Sequence, residues 1–250
     1  MKLHVESRGQ GPDLVLLHGW AMHGGMWGPW LDGLVGEARL HIVDLPGHGH
    51  SPWVTEASDL AGLVEAVVPL VPRGATMLGW SLGGMVALEL ARRHPGHVQA
   101  LVLVATTPRF LAGPDWEHGL EPAVLDGFAQ GLEADSRRTV QNFLALQARG
   151  DERAAATLRA LRDRIVSRGE PDRRVLAAGL HILSSVDLRH ELPRIALPAL
   201  VIAGTHDRLT PCAAGRDLAD RLPRGTLRII ERSGHVPFLS HPDQVLAEVR

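Results

Sequence analysis

Gly79-Trp80-Ser81-Leu82-Gly83 sets a serine two residues from a glycine on either side. A serine hydroxyl is a weak nucleophile until a base takes its proton and the backbone holds it clear of its neighbours. A Gly-x-Ser-x-Gly turn does the second job when a strand runs into it and a helix leaves it. Thr76-Met77-Leu78 precedes this motif as a short apolar stretch, and Leu82-Gly83-Gly84-Met85-Val86-Ala87-Leu88-Glu89-Leu90-Ala91 follows with a helical pattern. Such a turn strains the serine backbone, and Gly79 and Gly83 leave room for it. The helix N-terminus beneath favours developing negative charge. Taken alone, the five residues would equally suit a serine that caps a helix. The strand before and the helix after favour the nucleophile.

The base needs an orienting acid, and on this strand–turn–helix architecture the chain order is Ser, then Asp or Glu, then His. Ala199-Leu200-Val201-Ile202-Ala203-Gly204 reads as a strand ending in a turn, and Asp207 lies just beyond it. The strand Thr226–Ile230 is followed by Glu231-Arg232-Ser233-Gly234-His235. Of 14 histidines, His235 alone combines a strand-end position with the right order after Asp207. Asp207 as a turn or cap residue is the competing assignment. Leu17-His18-Gly19-Trp20 follows the first strong strand, so a loop there can offer the Trp20 N–H to an oxyanion, with the indole lining the pocket. The second donor is the N–H of Leu82, the residue after the nucleophile. His48 and His50 lie in a Gly/Pro-shaped loop. Two histidines with no third ligand do not make a metal site, so none is expected.

These residues need a sheet to hold them. Leu14–Leu17, Leu40–Val43, Ala100–Val104, Ala199–Ile202 and Leu227–Ile230 are apolar runs suited to strands buried on both faces. Helical patterns cover about Ser58–Val71, Leu82–His94 and Ala213–Arg221. The alternation predicts an α/β fold with a mainly parallel sheet flanked by helices. From about Pro108 to Leu192 the alternation stops and only helices are expected. That stretch is too long for a loop. It reads as a helical lid at 108–192 inserted into a core of 1–107 and 193–250, roofing the site beyond the strand ends.

Composition limits the alternatives. The chain has 250 residues, 45% apolar and 22% charged, with a net charge of −2. That suits an ordered globular chain and gives no global basic field for nucleic acid or membrane. Cys212 is the single cysteine, so no intrachain disulfide is possible. No apolar run reaches the ~20 residues of a membrane span, and no signal peptide is visible at the start. A cytoplasmic monomer is expected. Lys2 is the only lysine among 26 basic residues.

With these motifs in view, the sequence resembles the α/β-hydrolases over nearly its whole length. Leu16-Leu17-His18-Gly19-Trp20, Asp44-Leu45-Pro46-Gly47-His48-Gly49-His50-Ser51, the serine turn and Gly234-His235 carry that likeness. More narrowly, the chain is similar to the BioH-type esterases of biotin synthesis, which hydrolyse pimeloyl-[acyl-carrier protein] methyl ester. Gly79–Gly84, Val98–Val102, Arg138-Thr139-Val140, Phe143-Leu144-Ala145-Leu146-Gln147, Val186-Asp187-Leu188-Arg189 and Ser233–Pro242 carry the narrower likeness. Hydrolase insertions vary freely between activities, so the insertion segments weigh most. The resemblance implies Ser81, Asp207 and His235 as nucleophile, acid and base, and oxyanion and substrate contacts at Trp20 and Leu82. From the resemblance alone come substrate contacts along Phe143, Leu144, Ala145, Leu146 and Gln147, and docking arginines at Arg138 and Arg159.

A carrier protein is acidic and presents its acyl group on phosphopantetheine, so it calls for positive charge at the entrance. Ser136–Arg174 holds ten arginines against five acids in a chain that is net negative. Asn142 departs from the family pattern, which would put a basic residue there. A solvated arginine-rich helix face is the competing explanation. The expected chemistry is ester hydrolysis through an acyl-serine, with no metal or organic cofactor. The rivals are a short-chain esterase indifferent to the carrier protein, a serine-dependent C–C bond hydrolase, and a non-enzymatic ligand-binding relative.

Overall fold

The computed structural model describes residues 2–250. Seven strands form one sheet in the order β1-β3-β2-β4-β5-β6-β7. They are β1 Val5–Gly9, β2 Asp13–Leu17, β3 Arg39–Val43, β4 Ala75–Trp80, β5 Val98–Val104, β6 Ala199–Gly204 and β7 Gly225–Ile230. All neighbours pair in parallel except β1, which runs antiparallel to β3. The central strands are the apolar runs of the sequence, because helices cover both faces of them. Leu16, Leu17, Leu78 and Leu103 are fully buried. The edges differ. β7 alternates between half-buried and exposed residues, and β1 (Val-Glu-Ser-Arg-Gly) is mostly polar and exposed. That polar character hides β1 from a search for apolar runs.

The helices are α1 Leu60–Val67, α2 Leu82–Arg93, α3 Pro122–Ala134, α4 Ser136–Ala148, α5 Ala154–Ile165, α6 Arg173–Ser185, α7 Cys212–Arg221, α8 Pro237–Ser240 and α9 Pro242–Val249. Helices α3 to α6 all fall between β5 and β6, where the sequence predicts an insertion. Its ends are laced together at the base. Arg189 donates to the Asp115 and Asp187 carboxylates, and Arg109 bridges the same two acids.

The segment holding α3–α6 is tied to the sheet and its loops by polar contacts from separate elements, of which the Trp20 bond is buried. Trp20 Nε1–H donates to Leu176 O of α6 at 2.9 Å. Arg168, after α5, donates to both Asp44 oxygens at 3.1 Å and to Glu6 at 2.8 Å. Arg153 donates to Ser240 O at 2.8 Å. A buried donor such as the Trp20 indole N–H must find an acceptor, so this bond helps fix where the segment sits.

Candidate active site

Ser81 sits between β4 and α2 with φ 54° and ψ −119°, a left-handed conformation that costs a non-glycine residue on the order of 1–3 kcal/mol. The crowding around the turn shows why its neighbours are glycines. A Cβ on Gly79 would fall 2.5 Å from Gly83 O, and one on Gly83 would fall 2.1 Å from Leu17 O. The Ser81 hydroxyl makes no capping hydrogen bond to α2, although Ser81 occupies the cap position. It is therefore free for another task.

Asp207 and His235 meet at the same end of the sheet, on the loops after β6 and β7. His235 Nδ1–H donates to Asp207 Oδ2 at 2.8 Å, and both side chains are buried. Asp207 also accepts from Leu209 N–H at 2.8 Å, Thr210 N–H at 3.0 Å and the Thr210 hydroxyl at 2.7 Å. Four donors converge on one carboxylate and hold it aimed at the imidazole. The carboxylate accepts only, so the imidazole proton lies on Nδ1 and Nε2 carries the lone pair. Nε2 is buried and has no hydrogen-bond partner. Trp80, beside Ser81, donates its indole N–H to His235 O at 2.9 Å, which ties the serine turn to the histidine loop.

The loop after β2 supplies the other half of the site. A Cβ on Gly19 would come within 3.1 Å of Ser81 Cβ, so this loop lies against the serine. The Gly19–Trp20 peptide is held from its carbonyl end: His18 Nδ1–H donates to Gly19 O at 2.9 Å, and Met22 N–H at 3.2 Å. A trans peptide directs its N–H opposite to its C=O, so fixing Gly19 O also aims Trp20 N–H. Leu45 N–H donates to His18 Nε2 at 2.9 Å, which sets the tautomer that can donate to Gly19. Burial, and after it His48, pushes the His18 pKa down to about 3, so the ring stays neutral. Leu82 begins α2, and the first N–H groups of a helix have no intrahelical acceptor. The N–H groups of Trp20 and Leu82 have no acceptor among the described residues.

Phe143 to Gln147 lie on α4, and a helix cannot turn five consecutive residues toward one pocket. Phe143 and Gln147, four apart, share a face. Phe143 meets the Trp20 ring edge-on at 4.7 Å, and Gln147 O accepts from His235 N–H at 3.1 Å. Neither the Oε1 nor the Nε2 of buried Gln147 finds a partner. Leu144 is in the hydrophobic core. Ala145 and Leu146 line an open groove of about 590 Å³ with Phe128, Asn142, Arg149, Ala155 and Leu158. Phe128 also packs on Phe143 at 5.6 Å and on Trp20 at 6.2 Å, so aromatic rings run from the loop after β2 to the groove. Arg138 and Arg159 are exposed on α4 and α5, with no side-chain ion pair among the described residues. By contrast Arg137 pairs with Glu170, and Arg174 with Asp172.

His48 and His50 lie in the loop after β3. His48 packs edge-on against His18 at 5.0 Å, and His50 N–H donates to Asp44 at 2.9 Å. Burial pushes the His48 pKa down to about 4. Sequence reasoning missed the role of His18 as the orienter of the Trp20 peptide. Its signal was only its place before Gly19.

A family model described as alpha/beta hydrolase fold matches residues 12–242. The pimeloyl-[acyl-carrier protein] methyl ester esterase of Stenotrophomonas maltophilia (strain R551-3) is 45% identical over 248 residues, covering 99% of this chain and 95% of its own. That of Aeromonas hydrophila is 44% identical over 98% of this chain and 97% of its own. Among solved structures, the esterase RhEst1 from Rhodococcus sp. ECU1013 superposes with a TM-score of 0.82 at 28% identity, over 100% of this chain and 98% of that one.

Proposed function

The chain belongs to the α/β-hydrolase family, and from that membership we propose that it is a serine carboxylesterase whose substrate is the methyl ester of pimeloyl-[acyl-carrier protein]. The observation that carries the chemistry is the His235 imidazole. It is anchored through Nδ1 by a four-fold hydrogen-bonded Asp207, with Nε2 buried and unpartnered beside the strained serine turn. His235 removes the Ser81 proton as Ser81 Oγ attacks the ester carbonyl. Asp207 stabilises the imidazolium that forms. The N–H groups of Trp20 and Leu82 take the oxyanion. Collapse of the tetrahedral species breaks the C–OCH₃ bond, and His235 returns the proton to give methanol. Water then loses a proton to His235, attacks the acyl-serine and releases the carboxylate and the Ser81 hydroxyl.

In this reading α3–α6 form a lid over a dry acyl site. Full-length identity with the methyl ester esterases, running through the insertion, supports the substrate. So does the apolar groove lined by Phe128, Ala145, Leu146 and Leu158, whose Phe128 packs on Phe143 and Trp20. The unpartnered Gln147 amide would gain hydrogen bonds from a polar part of the substrate. Exposed Arg138 and Arg159, on the helices that border the groove, suit an acidic carrier protein whose phosphopantetheine arm enters there. The enzyme would act as a cytoplasmic monomer.

The test compares hydrolysis of pimeloyl-carrier protein methyl ester with that of a free short-chain ester. The carrier-bound ester should be strongly preferred, and Arg138→Glu with Arg159→Glu should remove that preference while sparing the short ester. Ser81→Ala should abolish both activities and leave the fold intact. Equal rates on both esters, unchanged by charge reversal, would leave a generalist esterase.

A further inference from the structure

The turn between α4 and α5 touches both loops that carry the Asp207–His235 pair. Three bonds reach the histidine loop. His235 N–H donates to Gln147 O at 3.1 Å, Gly234 N–H to Asp151 Oδ2 at 2.8 Å, and Glu152 N–H to Arg232 O at 2.9 Å. On the aspartate loop, His206 Nδ1–H donates to Gly150 O at 2.7 Å. His206 N–H also donates to Ser233 O at 2.9 Å, so the two loops are joined to each other. Asp151 contributes a side chain to this seam and is 6% exposed. Its second oxygen, Oδ1, accepts from Arg153 N–H at 2.7 Å at the start of α5. The approach is close: a Cβ on Gly234 would fall 2.9 Å from Gln147 O and 3.4 Å from Asp151 Cβ.

We infer that Asp151 is a positioning residue for His235, acting through the Gly234 peptide. A carboxylate that accepts a buried backbone N–H makes a charge-assisted bond and fixes that peptide plane. The bond fixes the Ser233–Gly234 peptide plane, one Cα before the Gly234–His235 peptide whose N–H is held by Gln147 O, and together the two bonds set where Nε2 stands relative to Ser81. The same carboxylate starts α5, so the insertion and the histidine loop share one anchor. The inference rests on His235 being the base of the proposed esterase.

A purely local role is the alternative, in which Asp151 only shapes the turn into α5. A serine substitution in two backgrounds separates the two. Asp151→Ser can still accept from Arg153 N–H, but its hydroxyl is too short to span both donors. With the full chain and p-nitrophenyl acetate, which needs no carrier protein, Asp151→Ser should lower kcat by roughly 10- to 100-fold with KM unchanged. In a His235→Ala background, Asp151→Ser should cause no further loss. A parent-like kcat in Asp151→Ser would overturn the inference. So would an equal further loss without His235. If His235→Ala alone kept full turnover, the esterase assignment itself would fail, which is a separate result.

Discussion

Gly179 lies inside α6, where replacing glycine by alanine ordinarily stabilises a helix by about 1 kcal/mol. Here the opposite is expected. A Cβ on Gly179 would fall 2.3 Å from Trp20 Cδ1 and 2.8 Å from Nε1. Non-bonded carbons rest at about 3.5–4.0 Å, so the indole or the helix must give way by roughly 1 Å. The ring has little freedom to do so. Its N–H is bonded to Leu176 O, its edge meets Phe143 at 4.7 Å, and it is buried. Overpacking of this kind costs about 1–3 kcal/mol. Set against the helix gain, Gly179→Ala should be neutral to about 2 kcal/mol destabilising, a fall in Tm of at most roughly 8 °C. The effect on turnover should be larger, because in the proposed mechanism the displaced residue also supplies the oxyanion N–H. A misplacement near 1 Å can cost on the order of 100-fold in rate. The assay pairs thermal unfolding with kcat on a short-chain ester. Gly127→Ala in α3, where a new Cβ meets nothing within 4 Å, is the control and should stabilise without changing kcat. If Gly179→Ala raised Tm like the control and kept full kcat, the link from α6 through Trp20 to the oxyanion loop would be refuted.

Two further outcomes follow from buried charge. His18 and His48 have pKa values pushed down by burial to about 3 and about 4, and His23 is lowered by the same cause. The unfolded chain protonates these rings near pH 6.5, so their contribution is complete above that pH and is lost as pH falls toward 4. His18 and His48 alone take up two protons on unfolding, a slope that approaches about 2.7 kcal/mol per pH unit by pH 5. Urea unfolding at pH 7, 6 and 5 reads this directly, and a midpoint that did not move would contradict the buried neutral rings. Arg168→Met would leave the buried Asp44 carboxylate without its cation and should destabilise by about 3 kcal/mol or more. A loss below about 1 kcal/mol in urea unfolding would show that the Gly24 and His50 N–H groups suffice for Asp44.

Much of the site is legible in the chain because its determinants are local. The serine turn declares itself by two glycines and by the apolar strand and helix on either side, all within about fifteen residues. Asp207 and His235 stand out because each follows a strand that reads as apolar: β6 is buried on both faces, and β7, although an edge, still carries Leu227, Ile229 and Ile230. Strand β1 was not legible, since an exposed edge needs no apolar side chains. The five-residue stretch from Phe143 to Gln147 could not be divided from sequence either. Which helix face meets Trp20 and which meets the groove depends on how α4 is laid against the sheet domain. Contacts between residues far apart in sequence were decided by tertiary structure alone. Trp20 reaches Leu176, Trp80 reaches His235, and Asp151 reaches Gly234 through single hydrogen bonds. Periodicity records whether a side chain is buried. It carries no record of which distant backbone group a buried donor will find, because that partner exists only once the layers have packed.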